Sequence, residues 1–542
     1  MSETDSQAGD DAAENSADSH SPPPASPLIF DDDDFLGIVV EPPDKAPNSK
    51  PEDLLDHVTY SPTPTDDASD PSEAEGEIEE AVVGKLCPRC MRLVPRFTKG
   101  KTANDSQYSC PSCDEVIQFR YAEDFDQVSR VQLSLAGMSG HGKTMFLRGI
   151  YAYLNSLGRK WHGFRFLPLS DDDAQSFRLA IGENKIGELA NPSQLVERPV
   201  GFQLCGIPGI GAVHLLLYDI SGEAFDTSRK LGRHAYFIPR SNVITLILSL
   251  TDLENGQELA FLLGRLMEAI RLNGRDPREK SLVVVLTKGD RLKADSTLPD
   301  SATAFLSNEL PIDPCDMESL HTLSDDLEDW LQQHPENYWN FVQTAKEEFR
   351  TVRYTVISSI GSEPTTSDVH VQMNPRNVIS PLLWLLRLSL PRITTHVGDK
   401  QITFHDVFEA SRAVAASSER MELRFGPGRF QLQKSVQLNS TVVLSGDGPN
   451  QTQIVVNKRN VHLTAEGGGL AVKGISFIVS GEATGAPLTI TDTKFSLNDC
   501  SFSGGKREGK VLGNGLLVNG GSTGEIHNCQ FRENESHGIT VA

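Results

Sequence analysis

No window of the 542-residue sequence approaches the roughly 20 consecutive apolar residues that a membrane-crossing helix needs. Nor does the N-terminus have the basic-then-apolar layout of a secretory signal. Cationic side chains are nearly missing from that end. The first 83 residues carry two lysines and no arginine against 23 acidic residues, so 21 of the 24 net negative charges sit there. The remainder of the chain is close to neutral, which excludes reading the acidity as a property of a catalytic surface and leaves nucleic-acid binding open elsewhere. Large apolar residues are also sparse in this segment, while Asp, Glu, Ser and Pro abound, as in Asp31 to Asp34 and Ser21-Pro22-Pro23-Pro24. Such a composition cannot offset the entropy of ordering, so residues 1–83 are expected to be a disordered acidic tail. Two apolar islands, Pro27 to Phe30 and Phe35 to Val40, flank the aspartate run and allow a short docking motif within an otherwise solubilising tail.

Cysteine is scarce too, with eight in the chain. Four of them form two close pairs, Cys87-Pro88-Arg89-Cys90 and Cys110-Pro111-Ser112-Cys113, separated by 19 residues. This usage fits a reducing, cytoplasmic compartment and a four-thiolate zinc site, because one tight turn presents both sulfurs of a pair to a single tetrahedral ion. The rival, a redox-active pair, lacks the expected βαβ surroundings. The set resembles a zinc ribbon over residues 84–122. A closed four-thiolate site has no position for water, which makes it structural. Seven basic residues against three acidic ones in this unit, interleaved with Phe97, Tyr108, Phe119 and Tyr121, leave room for nucleic acid. Protein contact or plain structure is favoured, since thiolates take charge back and small units need aromatics for a core.

The length exceeds what one ordinary core serves, and roughly two to four domains are expected. In the central part, Arg130 to Ala136 alternates as a strand and leads into Gly137-Met138-Ser139-Gly140-His141-Gly142-Lys143-Thr144, after which Met145 to Leu157 has a helical pattern. That strand, loop and helix order is the context in which Gly137, Gly140, His141 and Gly142 wrap backbone N–H groups around phosphates. Lys143 is expected to reach the β- and γ-phosphates and the Thr144 hydroxyl to ligate Mg²⁺. A second buried strand, Val213 to Tyr218, ends in Asp219-Ile220-Ser221-Gly222, placing Asp219 to hold Mg²⁺ through water and the Gly222 N–H to face the γ-phosphate. A third, Leu282 to Leu286, delivers Thr287-Lys288-Gly289-Asp290, and a last one, Arg353 to Ile357, ends in Ser358-Ser359.

In this order the elements resemble the GTPase motifs of the translation-factor-like and Ras-like P-loop class, over residues 129–390. The resemblance implies an α/β P-loop domain that binds GTP or GDP with Mg²⁺ and hydrolyses GTP. In it Asp290 accepts two hydrogen bonds from guanine, Lys288 packs over the base, and Ser358 and Ser359 approach guanine O6. The sequence departs from the pattern twice. No threonine occurs between Met145 and Tyr218, where the family senses the γ-phosphate, and Ser193 is the nearest hydroxyl candidate. Glu223 stands where Ras-like proteins carry the water-orienting glutamine, so Lys143, Gly222 and Glu223 form the expected catalytic set, with Arg229 and Arg233 downstream as further cations.

Beyond Pro391 the pattern becomes short strands rich in Gly and Asn. Gly474-Ile475-Ser476-Phe477, Asp499-Cys500-Ser501-Phe502 and Asn528-Cys529-Gln530-Phe531 recur at spacings of 25 and 29 residues. This is the layout of stacked coils, with Ile475, Cys500 and Cys529 in the core beside the three phenylalanines. The region 396–542 resembles a right-handed parallel β-helix of the pectin-lyase-like type, all-β and incomplete at its C-terminal end. Many such proteins bind or cleave polysaccharides, but no carboxylate pair converges in the repeat alignment.

The expected molecule is therefore multidomain: a disordered acidic N-terminus, a zinc ribbon, a P-loop GTPase domain and a β-helix, acting as a GTP-binding switch with Zn²⁺ and Mg²⁺. A protein partner or activator is expected, and no membrane. Three other readings remain open at this point: a nucleotide-binding scaffold that does not hydrolyse, a carbohydrate-binding or carbohydrate-active β-helix, and a nucleic-acid adaptor acting through Arg89, Arg92 and Arg96.

Overall fold

The computed structural model describes residues 84–99, 108–125, 128–175, 199–219, 225, 227–234, 237–252, 256–293, 295, 297–307, 314–315, 317–334, 338–361, 374–397, 400–415 and 421–542. The acidic tail, Ser193, Gly222 and Glu223 lie outside them. The apolar islands of the tail do as well.

Two short antiparallel sheets bring the cysteine turns together. Strand β1 (Lys85–Leu86) pairs with β2 (Leu93–Val94), and β3 (Thr98–Lys99) pairs with β4 (Tyr108–Ser109), which pairs with β5 (Val116–Ile117). A one-turn helix, α1 (Phe119–Glu123), follows and buries Tyr121 and Ala122. The aromatics supply this unit's core: the Phe97, Tyr121 and Phe125 rings lie 5.5 to 6.2 Å apart.

The central sheet has seven strands. They are β6 (Ser129–Ala136), β7 (Arg165–Pro168), β8 (Val200–Ile207), β9 (Gly211–Tyr218), β10 (Val243–Leu248), β11 (Ser281–Leu286) and β12 (Thr351–Val356), in the spatial order β12-β11-β10-β6-β9-β8-β7. Five of these, β12 through β9 in that order, run parallel, and β8 pairs antiparallel with β9 as a hairpin. Helices cover both faces of a parallel sheet, so its strands read as continuous apolar runs. Leu282, Val283, Val284, Val285 and Leu286 of β11 are each fully buried. The long helix α2 (Lys143–Leu157) leaves the end of β6 after the glycine-rich loop and packs Phe146, Ile150 and Leu154 into the core.

The C-terminal region is a stack of parallel coils. Each coil contributes one strand to each of three sheets. One sheet carries Met421–Phe425, Val442–Ser445, Gly469–Lys473, Lys494–Asn498 and Thr523–His527 in parallel succession. A second aligns Phe430, Ile454, Phe477, Phe502 and Phe531 in register. Because in-register strands place identical side chains over one another, the rings stack: Phe477 on Phe502 and Phe502 on Phe531, each at 5.1 Å and within 10° of parallel. Ile475 and Cys500 are buried beside this ladder, and Cys529 is half-buried. Gly474, Asp499 and Asn528 occupy one corner in successive coils, all at positive φ (67°, 52° and 49°), and Asn528 Nδ2 donates to Asp499 Oδ1 at 2.6 Å. Asn and Asp tolerate this left-handed corner better than other non-glycine residues.

The coil stack grips the β8–β9 hairpin. Backbone N–H groups of His405 and Asp406 donate to Gly209 O at 2.6 and 3.2 Å, and the Gln433 amide makes a reciprocal pair with the Ala212 backbone, both bonds 3.1 Å. Asp406 caps the helix Val407–Ala415 through Glu409 N at 2.9 Å. Burial at this junction pushes the Asp406 carboxyl up to about 6, against the helix-capping N–H that favours its charge. A folded-state value above the unfolded one means the native state binds the extra proton, so the stability it contributes is present below about pH 4 and lost as pH rises through 6. Asp406→Asn, which keeps the cap without the charge, is expected to raise stability at pH 7 by about 1 to 3 kcal/mol and to add little at pH 4. Urea unfolding of both proteins at the two pH values measures it, and an equal shift at both contradicts the assignment.

Candidate functional site

At the C-terminal ends of the parallel strands, where ligands of open α/β sheets bind, the loops after β6, β10, β11 and β12 meet, with Asp219 directly after β9 at the same end. The glycine-rich loop takes a path that side chains resist. Gly137 has φ 152°, and a Cβ there would lie 2.5 Å from the Ile247 carbonyl of β10. Gly142, at φ 86°, is the residue preceding α2. A Cβ on Gly140, also at positive φ, would meet no heavy atom within 4 Å, so this side of the loop is open. Lys143 is buried, and its Nζ donates to the carbonyls of Gly137 at 2.7 Å and Met138 at 2.8 Å. Burial lowers its pKa to about 8, while the nearby Asp219 carboxylate opposes the shift. Asp219 follows β9 directly and is half-buried, and Thr144 is exposed in the first turn of α2. Together these put a cation, a hydroxyl, a carboxylate and a helix N-terminus around one loop, the donor set that suits a Mg²⁺-bound polyphosphate. Mg²⁺ would be held by Thr144 and, through water, by Asp219, where it would neutralise phosphate charge.

The second half of the site is tied to the first by Thr287. Its hydroxyl lies 2.8 Å from the carbonyl of His141 and 3.1 Å from that of Leu248, bridging the loop after β11 to the glycine-rich loop and to β10. His141 is buried with Nδ1 3.4 Å from Ile247 O, and burial holds its pKa below the ordinary value, so the ring is neutral at pH 7. Lys288 sits at φ 55° and pairs with Asp252, which Arg291 also approaches at 3.9 Å. Gly289 has no room for a side chain, since a Cβ would fall 2.9 Å from Ile357 O and 2.5 Å from Leu306 Cδ2. Its N–H bonds Ile357 O at 2.9 Å, which joins the loops after β11 and β12. Asp290 Oδ1 accepts from the Ser358 hydroxyl at 2.5 Å, and Ser358 Oγ in turn accepts from Gly361 N at 2.9 Å. Ser359 is buried, and a Cβ on Gly149 of α2 would stand 3.6 Å from it.

The structure thus brings Gly137, Gly140, His141, Gly142, Lys143, Thr144, Asp219, Thr287, Lys288, Asp290, Ser358 and Ser359 to one end of the sheet. Arg229 is exposed on the helix Ser228–His234. Sequence reasoning missed Asp252. Its signal was available, a carboxylate four residues after the buried strand β10, in the position from which the neighbouring strand's loop is within reach.

No family model matches the chain, and no curated protein matches it. Among solved structures, it is similar to the S. cerevisiae Ski7 GTPase-like domain bound to GTP, at 15% identity over 51% of this chain and 56% of that chain, with a TM-score of 0.26. It is also similar to Sup35 complexed with GDP, at 13% identity over 51% of each chain, with a TM-score of 0.20. The chain spans about half the length of these structures. At such low scores the likeness adds nothing to the geometry above.

The four cysteines form a separate centre. Their sulfurs all lie within 4.8 Å of one another, with Cys87 to Cys113 at 3.8 Å and Cys90 to Cys110 at 3.9 Å. Four sulfurs around a tetrahedral zinc at Zn–S of about 2.3 Å stand about 3.8 Å apart, so the set fits that ion. The N–H groups of Cys90 and Ser112 point at Cys87 Sγ and Cys110 Sγ, both at 3.4 Å, as donors to thiolates do. Burial pushes the Cys87 and Cys113 thiols up, which a bound cation would reverse. An open cleft beside the cluster, about 480 Å³, is lined by Arg89, Arg92 and Arg240 with Ser112 and Glu115. Arg89 pairs with Glu115 at 3.3 Å and Arg92 donates to Ser112 Oγ at 3.2 Å. These guanidiniums lie where they would balance the two net negative charges of a zinc ion with four thiolates.

Proposed function

We propose that the α/β domain binds GTP with Mg²⁺ and hydrolyses it, and that the four-cysteine unit and the coil stack are modules that sense or transmit the nucleotide state. The observation that carries the reading is the Thr287 bridge, which fixes the phosphate loop and the Asp290 loop to each other at one end of the sheet. A phosphate cradle alone is common to many nucleotides. A carboxylate that accepts paired hydrogen bonds, held at a fixed distance from that cradle, selects guanine, because adenine does not present the two donors.

In this reading Lys143 neutralises the β- and γ-phosphates, Thr144 and Asp219 hold Mg²⁺, and Asp290 reads the base while the Ser358 hydroxyl orients its carboxylate. Lys288, steadied by Asp252, covers the ring. Gly222 and Glu223, outside the described residues, are proposed to contact the γ-phosphate and position water. Zinc on Cys87, Cys90, Cys110 and Cys113 supplies folding energy to a unit too small for a large core. The coil stack is read as a right-handed β-helix offering a surface to a protein partner. Single-turnover phosphate release from GTP, with Glu223→Ala as comparison, tests the hydrolytic part. Release that depends on Mg²⁺ and falls in the variant supports it, and bound GTP that persists unchanged in both overturns it.

A further inference from the structure

Strand β9 carries the magnesium carboxylate at its end, and both of its faces are occupied. Successive strand residues point to opposite faces, so Tyr218 and Asp219 project in opposite directions from one peptide. On the Asp219 side, Leu215 is in register with Phe202, whose ring packs 5.5 Å from Tyr151 of α2, the helix that begins with Lys143 and Thr144. On the Tyr218 side sits the four-cysteine unit. His214, four residues earlier on that face, lies under Tyr121 with ring centroids 5.8 Å apart.

The contact at Tyr218 is specific. Its hydroxyl donates to the Pro88 carbonyl at 2.5 Å and lies 3.3 Å from Met91 Sδ, and its ring stacks on Phe237 at 4.7 Å. Three residues further along, Arg240 donates to the Cys90 carbonyl at 3.4 Å. Pro88 and Cys90 belong to the turn that presents the first two sulfurs, closed by Met91 N to Cys87 O at 3.0 Å. A metal on those sulfurs fixes the direction of both carbonyls. Tyr218, at the end of β9, and Arg240, three residues before β10, are therefore both tied to one cysteine turn.

We propose that Tyr218 is a positioning residue: through it the metal-loaded Cys87–Cys90 turn sets the place of Asp219, and with it the Mg²⁺-dependent part of nucleotide binding. The inference rests on the magnesium role given to Asp219 above. Coupling of this kind is reciprocal, so bound Mg²⁺ and nucleotide hold zinc more tightly in return.

The test uses the full chain and Tyr218→Phe, which keeps the stack on Phe237 and removes the hydroxyl. GTP affinity is measured across a Mg²⁺ titration and in Mg²⁺-free buffer, with zinc content determined on the same samples. The Mg²⁺ concentration for half-maximal tightening is expected to rise about three- to tenfold, the factor corresponding to one neutral hydrogen bond, while Mg²⁺-free affinity and zinc content stay the same. Stripping zinc from the wild type with a zinc-selective chelator is expected to give a similar shift and to add none in Tyr218→Phe. Arg240→Gln is expected to shift in the same direction. An unchanged Mg²⁺ dependence in Tyr218→Phe overturns the proposal, as does a loss of affinity equal with and without Mg²⁺, or a loss of zinc. A wild-type chain that binds no guanine nucleotide overturns the proposed function instead, so the two failures are told apart.

Discussion

Asp290→Asn is expected to weaken GTP by about 10²- to 10⁴-fold and to confer binding of xanthosine triphosphate. In the proposed reading the carboxylate accepts two donors of the guanine edge, each charge-assisted hydrogen bond being worth about 1.5 to 3 kcal/mol. An asparagine side chain presents one acceptor and one donor, so it meets one guanine donor with a donor of its own. Xanthine carries an acceptor at that position and restores the match. Asp290 also accepts from Ser358, and the amide oxygen can keep this bond, so the loop after β12 should hold its path. Competition of unlabelled GTP, ATP and XTP against a fluorescent nucleotide measures the change. Equal weakening for all three nucleotides would mean that Asp290 supports the loop and reads no base.

The second large effect concerns the four-cysteine cluster. Cys110 is fully buried, receives the Ser112 N–H, and stands 3.9 Å from Cys90. Cys110→Ser leaves three thiolates and a poor fourth ligand in a closed site. Apparent binding energies of structural zinc run to about 10 kcal/mol or more, much of it folding energy. The variant is expected to lose bound zinc, from one ion per chain to none, and to expose residues 84–122 to proteolysis. Elemental analysis with limited proteolysis reads both. The same treatment should leave the coil stack intact, since its core of stacked aromatics is built from other residues. Retention of one zinc per chain by the variant would contradict the four-thiolate assignment.

Local signals made much of this architecture legible. The glycine-rich loop was readable because glycine spacing, the strand before it and the helix after it lie within one stretch of sequence, and β6 and α2 fall where periodicity placed them. The cysteine pairs were readable for the same reason. The phenylalanine ladder followed from simple recurrence, because in-register strands turn a repeat in sequence into a stack in space. What stayed hidden is long-range and held by residues of ordinary composition. Nothing in Tyr218 announces Pro88, 130 residues earlier, and nothing in Gln433 announces Ala212, 221 residues away. Sequence also treats the modules as beads, each with its own motif. The structure shows the four-cysteine unit and the coil stack both attached to β9 or its hairpin, the strand that ends at Asp219. Asp252 was missed for a related reason: a lone acid after a strand means little until the Lys288 loop lies beside it.

The central claim is that this chain selects a guanine nucleotide through two loops fixed to one another. Equilibrium titration of the purified full chain with GTP and with ATP, in the presence of Mg²⁺, tests it most directly, with Lys143→Ala as the control for the phosphate loop. The account predicts saturable binding of GTP at one site per chain, at least about a hundredfold preference over ATP because adenine lacks the two donors and leaves the Asp290 carboxylate unpaired by the base, and loss of binding in the variant. Equal affinity for ATP, or GTP binding untouched by Lys143→Ala, would contradict it.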